Sequence, residues 1–181
     1  MTTTKIRIIG DPVLRSSASE VTEVTDTLVK LTDDMLITMY EAPGIGLAAP
    51  QVGVQKRIFV YDWGDGPGVI VNPRIEESSG EWVYEEGCLS IPGMSWEIVR
   101  PKEVHLVGLD LNGGEISIDA DELVARLFQH ELDHLDGVLL IDHLEKDERR
   151  KARRLLTELS LKESIGQRPI VGVPQSSPQS Q

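Results

Sequence analysis

The segment His130-Glu131-Leu132-Asp133-His134 constrains this chain more than any other, because two imidazoles four positions apart share a face only when the backbone between them is helical. The flanks support a helix. Asp119 followed by Glu122 has the form of a capping box, and Gly137 stands where a left-handed C-cap would end the last turn. Between them Leu123, Leu127, His130 and His134 recur at helical spacing, so all four are expected on the stripe that faces the core. A single histidine on such a stripe is usually a satisfied core residue. Two in register, with Glu131 beside the first, instead form the outline of a hydrolytic metal site in which the glutamate serves as base.

Length and composition set the context for that helix. With 181 residues and no break in composition before the tail, residues 1–166 are expected to form a single domain with one sizeable core. There is no run of eighteen apolar residues and no basic-plus-apolar signal at the start, so neither a membrane span nor export is expected, and the cytoplasm is the expected compartment. The one cysteine, Cys88, excludes an internal disulfide and directs attention to metal binding or catalysis. A formal charge of -12 repels nucleic acid over most of the surface, which argues against DNA as a partner.

Hydrophobic periodicity then outlines the fold. Asp11-Pro12 marks a turn after a short extended piece, Lys5 to Ile9. From Thr25, the positions Leu28, Leu31, Met35 and Met39 keep helical spacing until Pro43-Gly44 ends the pattern. Strands are expected at Arg57 to Trp63, Val69 to Asn72 and Glu81 to Tyr84, followed by a hairpin of Glu97 to Leu111 with Glu115 to Ile118 across Asn112-Gly113-Gly114. Strands grouped between two helices predict an α+β domain with antiparallel β-sheets packed around the central metal-binding helix.

A third ligand for the histidine pair is sought in Glu85-Glu86-Gly87-Cys88-Leu89-Ser90. Two neighbouring carboxylates should disfavour a free Cys88 thiolate, whereas a dication would deprotonate the thiol outright, so a ligand role fits better than a covalent one. The run Gly44-Ile45-Gly46-Leu47-Ala48-Ala49-Pro50-Gln51-Val52-Gly53 follows a helix rather than a strand, which makes it a poor dinucleotide fingerprint. Its glycines would allow another backbone to come close, and the Gln51 amide could meet a developing oxyanion.

The three blocks GIGLAAPQVG, EGCLS and QHELDHLDG, in this order and at these separations, resemble the signature motifs of peptide deformylases, as does Asp11-Pro12-Val13-Leu14-Arg15 near the start. That family removes the formyl group from the N-terminal methionine of nascent bacterial and organellar proteins. The resemblance implies an α+β fold around the metal helix, with Cys88, His130 and His134 as metal ligands and Glu131 as the proton carrier. It further implies that the Gln51 side chain and the Leu89 backbone N–H receive the oxyanion. The extended N-formyl-Met peptide would lie against main-chain groups of Ile45, Gly46 and Gly87, with Leu123 and Leu127 joining Ile45 around the methionine side chain. Ligand softness alone favours Zn²⁺ for one cysteine and two histidines. The family resemblance implies Fe²⁺ instead, with Zn²⁺, Ni²⁺ or Co²⁺ as substitutes.

Other chemistries make different demands. A zincin-like endopeptidase takes its third ligand after the helix, a Cys/His hydrolase forms a covalent intermediate at Cys88, and a non-catalytic metal module has no need of Glu131. His105 and His143 belong to no motif and are read as structural or surface residues. Between Lys146 and Arg154 lie six of the 18 basic residues, opening a helix of about 146–163 with an apolar edge at Leu155, Leu156 and Leu159. This basic helix is either a solvated face or, as the resemblance implies for some members, a ribosome-docking element. The Pro-, Ser- and Gln-rich residues 167–181 are expected to be disordered.

Overall fold

Ile58-Phe59-Val60-Tyr61 is buried along its whole length because the strand it forms is covered on both faces. Ile58 and Val60 point to one side, where they pack with Leu28, Met35 and Met39 of helix α1 (Asp26–Glu41). Phe59 and Tyr61 point to the other, against Ala125, Phe128 and Leu135 of helix α2 (Glu122–Asp136). The computed structural model describes residues 2–164, so the stretch 167–181 lies outside the described residues. The chain divides into two compact units, Met1–His143 and Leu144–Gln181.

In the first unit, β1 (Gly46–Ala48), β2 (Ile58–Tyr61), β3 (Gly68–Ser79), β6 (Glu103–Leu109) and β7 (Glu115–Asp121) form one five-stranded sheet in that order. The remaining strands, β4 (Trp82–Cys88) and β5 (Ile91–Arg100), form a separate two-stranded sheet. The pairings within both sheets are antiparallel, which makes this the α+β architecture expected from the grouping of strands between helices.

Several boundaries differ from the sequence expectation. Glu97 to Leu111 is not one arm of a hairpin: Pro101, which has no N–H to donate, interrupts it, leaving β5 in the small sheet and β6 in the large one. The β6–β7 hairpin across Asn112-Gly113-Gly114 does form, with Leu109 opposite Glu115. Lys5 to Ile9 joins no sheet, although Arg7 N and Ile9 N donate to the Gln51 and Ser90 carbonyls. The expected capping box at Asp119 is absent. Asp119 lies inside β7, 2.6 Å from His105 Nδ1, and α2 begins directly after Asp121.

The other helix signals correspond to observed caps. The Thr25 hydroxyl accepts from Leu28 N at the start of α1, and Gly137 closes α2 in the left-handed conformation, donating to the Asp133 and His134 carbonyls. The second unit contains α3 (Lys146–Ser164), in which Arg150 pairs with Asp147 at 3.1 Å and Leu155 is half exposed. No helix among the described residues is long and apolar enough to cross a membrane.

Gly137 combines a φ of +74° with close contact, since an added Cβ would lie 2.8 Å from the Arg15 carbonyl. Gly137→Ala is therefore expected to destabilise the chain by about 1–2 kcal/mol from the left-handed backbone alone, with the clash adding to it. In a thermal melt this should lower the midpoint by several degrees, while Gly113→Ala, at φ +80° with nothing within 4 Å, should cost less.

Candidate metal centre

Strand alternation places Trp82, Tyr84, Glu86 and Cys88 on one face of β4, and helical spacing places Arg126, His130 and His134 on one face of α2. Where these faces meet, one ligand atom from each of Cys88, His130 and His134 lies within 4.8 Å of the others. His134 Nε2 is 3.2 Å from both Cys88 Sγ and His130 Nε2. His130 Nδ1 lies 2.6 Å from Glu86 Oε1, so its hydrogen belongs on that nitrogen and the Nε2 lone pair is turned toward the other two donors. A thiolate and two imidazole lone pairs aimed at one point repel each other unless a proton or a cation lies between them. The donor set therefore fits a divalent metal, with a coordination position left for water or substrate.

Glu86 anchors the arrangement. Its Oε1 accepts from Arg100 Nη2 at 2.7 Å as well as from His130, and its Oε2 accepts from Arg100 Nε at 2.9 Å and Arg126 Nη1 at 2.7 Å. Burial favours the protonated acid, but the Arg100 and His130 bonds outweigh it and hold the Glu86 carboxyl well below the usual carboxylate range. Arg126 also donates to the Trp82 carbonyl, with its guanidinium 5.0 Å from the Trp82 ring centroid.

This changes the expectation for Cys88. Glu85 is exposed, while the charge of Glu86 is neutralised by two arginines, so neither carboxylate governs the thiol. Burial raises the Cys88 pKa, but the imidazoles of His134 and His130 outweigh this and hold it well below the ordinary thiol range. His130 is correspondingly held well above its usual value by the sulfur and Glu86, against the opposing effect of burial. Glu131 behaves differently: burial pushes its pKa up to about 7, and its Oε2 has no hydrogen-bond partner among the described residues.

The remaining sequence candidates line a cleft of about 760 Å³ beside this centre: Ile45, Gly46, Gln51, Gly87, Leu89 and, from α2, Leu123 and Leu127 with Glu131. Leu123, expected in the core, is 44% exposed because it sits at the cleft mouth. Gln51 is buried and held at both ends, its Oε1 accepting from Ala48 N at 2.8 Å and its Nε2 donating to Ser90 Oγ at 3.2 Å, with Cys88 Sγ 4.0 Å away. Two of these glycines make room for side chains of the site. A Cβ on Gly46 would stand 2.4 Å from Glu131 Oε1 and from Leu127 Cδ1, and one on Gly44 would stand 2.7 Å from Leu89 Cδ1.

Glu86, Arg100 and Arg126 did not emerge as site residues from the sequence. The signals were there, since Glu86 shares strand parity with Cys88 and Arg126 precedes His130 by one helical turn. Arg100 carries no such local signal.

The family model described as Polypeptide deformylase matches residues 3–150. The chain belongs to that family. It is 54% identical over 140 residues to the peptide deformylase of Halothermothrix orenii, covering 76% of this chain and 91% of that one. It is 45% identical over 153 residues to that of Acidothermus cellulolyticus, covering 84% and 85%. The crystal structure of a peptide deformylase from Legionella pneumophila superimposes with a TM-score of 0.85 at 40% identity, over 93% of this chain and 100% of that one. The Ehrlichia chaffeensis enzyme in complex with actinonin gives 0.83 at 39%, over 87% and 98%. The chain is thus a metal-dependent hydrolase that removes the formyl group from the N-terminal methionine of newly made proteins.

A ligand role for Cys88 on β4, as against one for a residue after α2, predicts that Cys88→Ala abolishes stoichiometric metal binding while leaving the circular dichroism of the folded chain intact. Full retention of metal in that variant would contradict the ligand set.

Proposed function

We propose that Cys88, His130 and His134 hold one Fe²⁺ ion and that Glu131, Gln51 and Leu89 carry the reaction beside it. The convergence of the sulfur and two Nε2 atoms on one point is the observation that carries this reading. A divalent cation held there supplies Lewis acidity and makes hydroxide available near neutral pH. Glu131 accepts the proton of the attacking water and delivers it to the departing amine, a task suited to a carboxyl whose pKa is pushed up to about 7. Charge developing on the formyl oxygen is met by the Gln51 Nε2–H and the Leu89 backbone N–H, each donor contributing about 3 kcal/mol in the transition state. Gln51 is ready for this role because Ala48 N fixes the far end of its amide.

Backbone groups of Ile45, Gly46 and Gly87 hold the extended peptide, and such pairing is indifferent to side-chain sequence, as an enzyme serving many nascent chains requires. Ile45, Leu123 and Leu127 receive the methionine side chain. A closed site around the formyl carbon admits its hydrogen better than the methyl of an acetyl group, a distinction of about 1–3 kcal/mol. Every residue named in this mechanism lies within Met1–His143. The cytoplasm is the compartment we propose for this activity, and the basic residues of α3 are the surface we propose for ribosomal RNA.

The deciding experiment is formate release from a formyl-Met peptide by anaerobically prepared, iron-loaded protein. Glu131→Gln is expected to retain its metal and lose about 10²–10⁴-fold in kcat. Chelation should abolish release by the wild type and actinonin should block it. Exposure to air should inactivate the iron form faster than a nickel- or zinc-loaded one. No release by the wild-type iron form would refute the mechanism.

Ribosome docking is tested separately in the full-length chain with Lys151, Arg153 and Arg154 changed to Glu. Sedimentation with ribosomes should weaken and become less salt-dependent, with formate release from the free peptide unchanged. Equal sedimentation of variant and wild type would leave α3 as a solvated helix only.

A further inference from the structure

The arginine that clamps Glu86 is itself held from behind. Arg100 Nη2 lies 2.9 Å from Asp133 Oδ2, and the same oxygen lies 2.7 Å from His143 Nε2. Side-chain exposure falls along this line, from 30% at His143 and 22% at Asp133 to 4% at Arg100 and 6% at Glu86. Asp133 and His143 border a second cleft of about 530 Å³ with Arg57, Gln129 and Asp136, and its lining shares no residue with that of the substrate cleft. The proposed mechanism uses neither residue.

Their geometry bears on the metal through the planarity of the guanidinium. With both Nε and Nη2 on Glu86, Arg100 forms a fork-to-fork pair, and a second anion on Nη2 fixes the position of that fork. Glu86 Oε1 is shared between Arg100 Nη2 and His130 Nδ1. Any sliding of the guanidinium therefore moves the oxygen that sets the tautomer and ring orientation of His130.

We propose that Asp133 and His143 are positioning residues for the metal centre, locking Arg100 from the second cleft and thereby fixing the orientation of Glu86 and the direction of His130 Nε2. The inference rests on His130 being a metal ligand. A purely structural role, with the Asp133–Arg100 pair tying α2 to β5, would lower stability and leave metal affinity alone.

Cobalt binding to the metal-free full chain separates the two roles. Asp133→Asn is expected to weaken Co²⁺ binding by about tenfold, the lower end of what loss of an outer partner of a ligand costs. The cobalt–thiolate absorption should shift, and after metal reloading kcat should fall with KM for a formyl-Met peptide unchanged. His143→Leu, at the more exposed end, should show a smaller loss in the same direction, whereas His143→Gln keeps an N–H for Asp133 and should retain affinity. In an Arg100→Lys background, Asp133→Asn should cost nothing further, because its effect passes through the guanidinium fork.

Wild-type affinity in both Asp133→Asn and His143→Leu overturns the proposal, whatever happens to their melting temperatures. So does an equal loss from Asp133→Asn in both backgrounds. If Asp133→Asn fails to fold, His143→Leu decides alone, and a cobalt affinity equal to wild type counts against the proposal. Failure of the wild type itself to bind Co²⁺ would instead remove the metal-centre reading on which this one stands.

Discussion

The carboxylate of Glu86 is the contact on which the rest of the structure depends. Four donors from three side chains fill its lone-pair positions: two from Arg100, one from Arg126 and one from His130. These residues come from β5 and α2, and Glu86 from β4, so a single functional group ties the small sheet to the helix that carries both imidazoles. The flanking arginine side chains are each 4% exposed and Glu86 is 6% exposed. Charges so far from water are costly, and Glu86 is tolerated because four donors surround it, although Arg126 Nε finds no partner among the described residues. Removing Glu86 would leave Arg126 buried without its carboxylate, at a cost of about 3–5 kcal/mol. The network is better understood as fixing relative position than as a source of net stability, since an apolar replacement of equal volume could stabilise the fold as well.

Positional control is what this centre requires, because its donors come from elements with no local connection. Cys88 is 46 residues from His134 in sequence, and the sheet that carries it pairs with no other strand among the described residues. The helix is held on its opposite side by the core under the large sheet, where Phe59, Tyr61 and Trp63 pack around Phe128 at centroid distances of 5.5 to 6.0 Å. Both phenylalanines of the chain are spent in this cluster. The apolar core thus places one face of α2, while the ionic hub places β4 and β5 against the other.

This division explains what was legible in the sequence. Features written in local periodicity could be read directly: α1 through Leu28, Met35 and Met39, the histidine pair through its helical spacing, and the end of α2 through Gly137. The hairpin at Asn112-Gly113-Gly114 was also readable, since turn chemistry is local. Where two readings compete locally, the sequence was ambiguous. Pro101 splits an apparently continuous strand between two sheets, and β1 is only three residues long within a glycine-rich run. Leu123 obeys the apolar period of α2 but opens onto a cleft that no period reveals. Least legible was the hub, because the Arg100–Glu86–Arg126 triad is defined by contacts 14 and 40 residues apart, and each member alone reads as an ordinary charged residue.

The glycines and the buried glutamate form a second constraint, one that works against stability. Gly46 lies so close to Glu131 that any side chain there would displace the carboxyl, and Leu127 closes on the same point. A carboxyl packed this tightly loses hydration, which is what lifts its pKa to about 7. The same desolvation leaves Glu131 Oε2 and His134 Nδ1 without partners among the described residues, a burden of about 1–3 kcal/mol for each such group. The fold carries that burden at Glu131 and His134, while the lone-pair positions of the nearby Glu86 carboxylate are filled. Two glutamates in one site are thus driven in opposite directions, Glu86 toward permanent charge by its arginines and Glu131 toward a protonation state that can change near neutral pH by its lack of them.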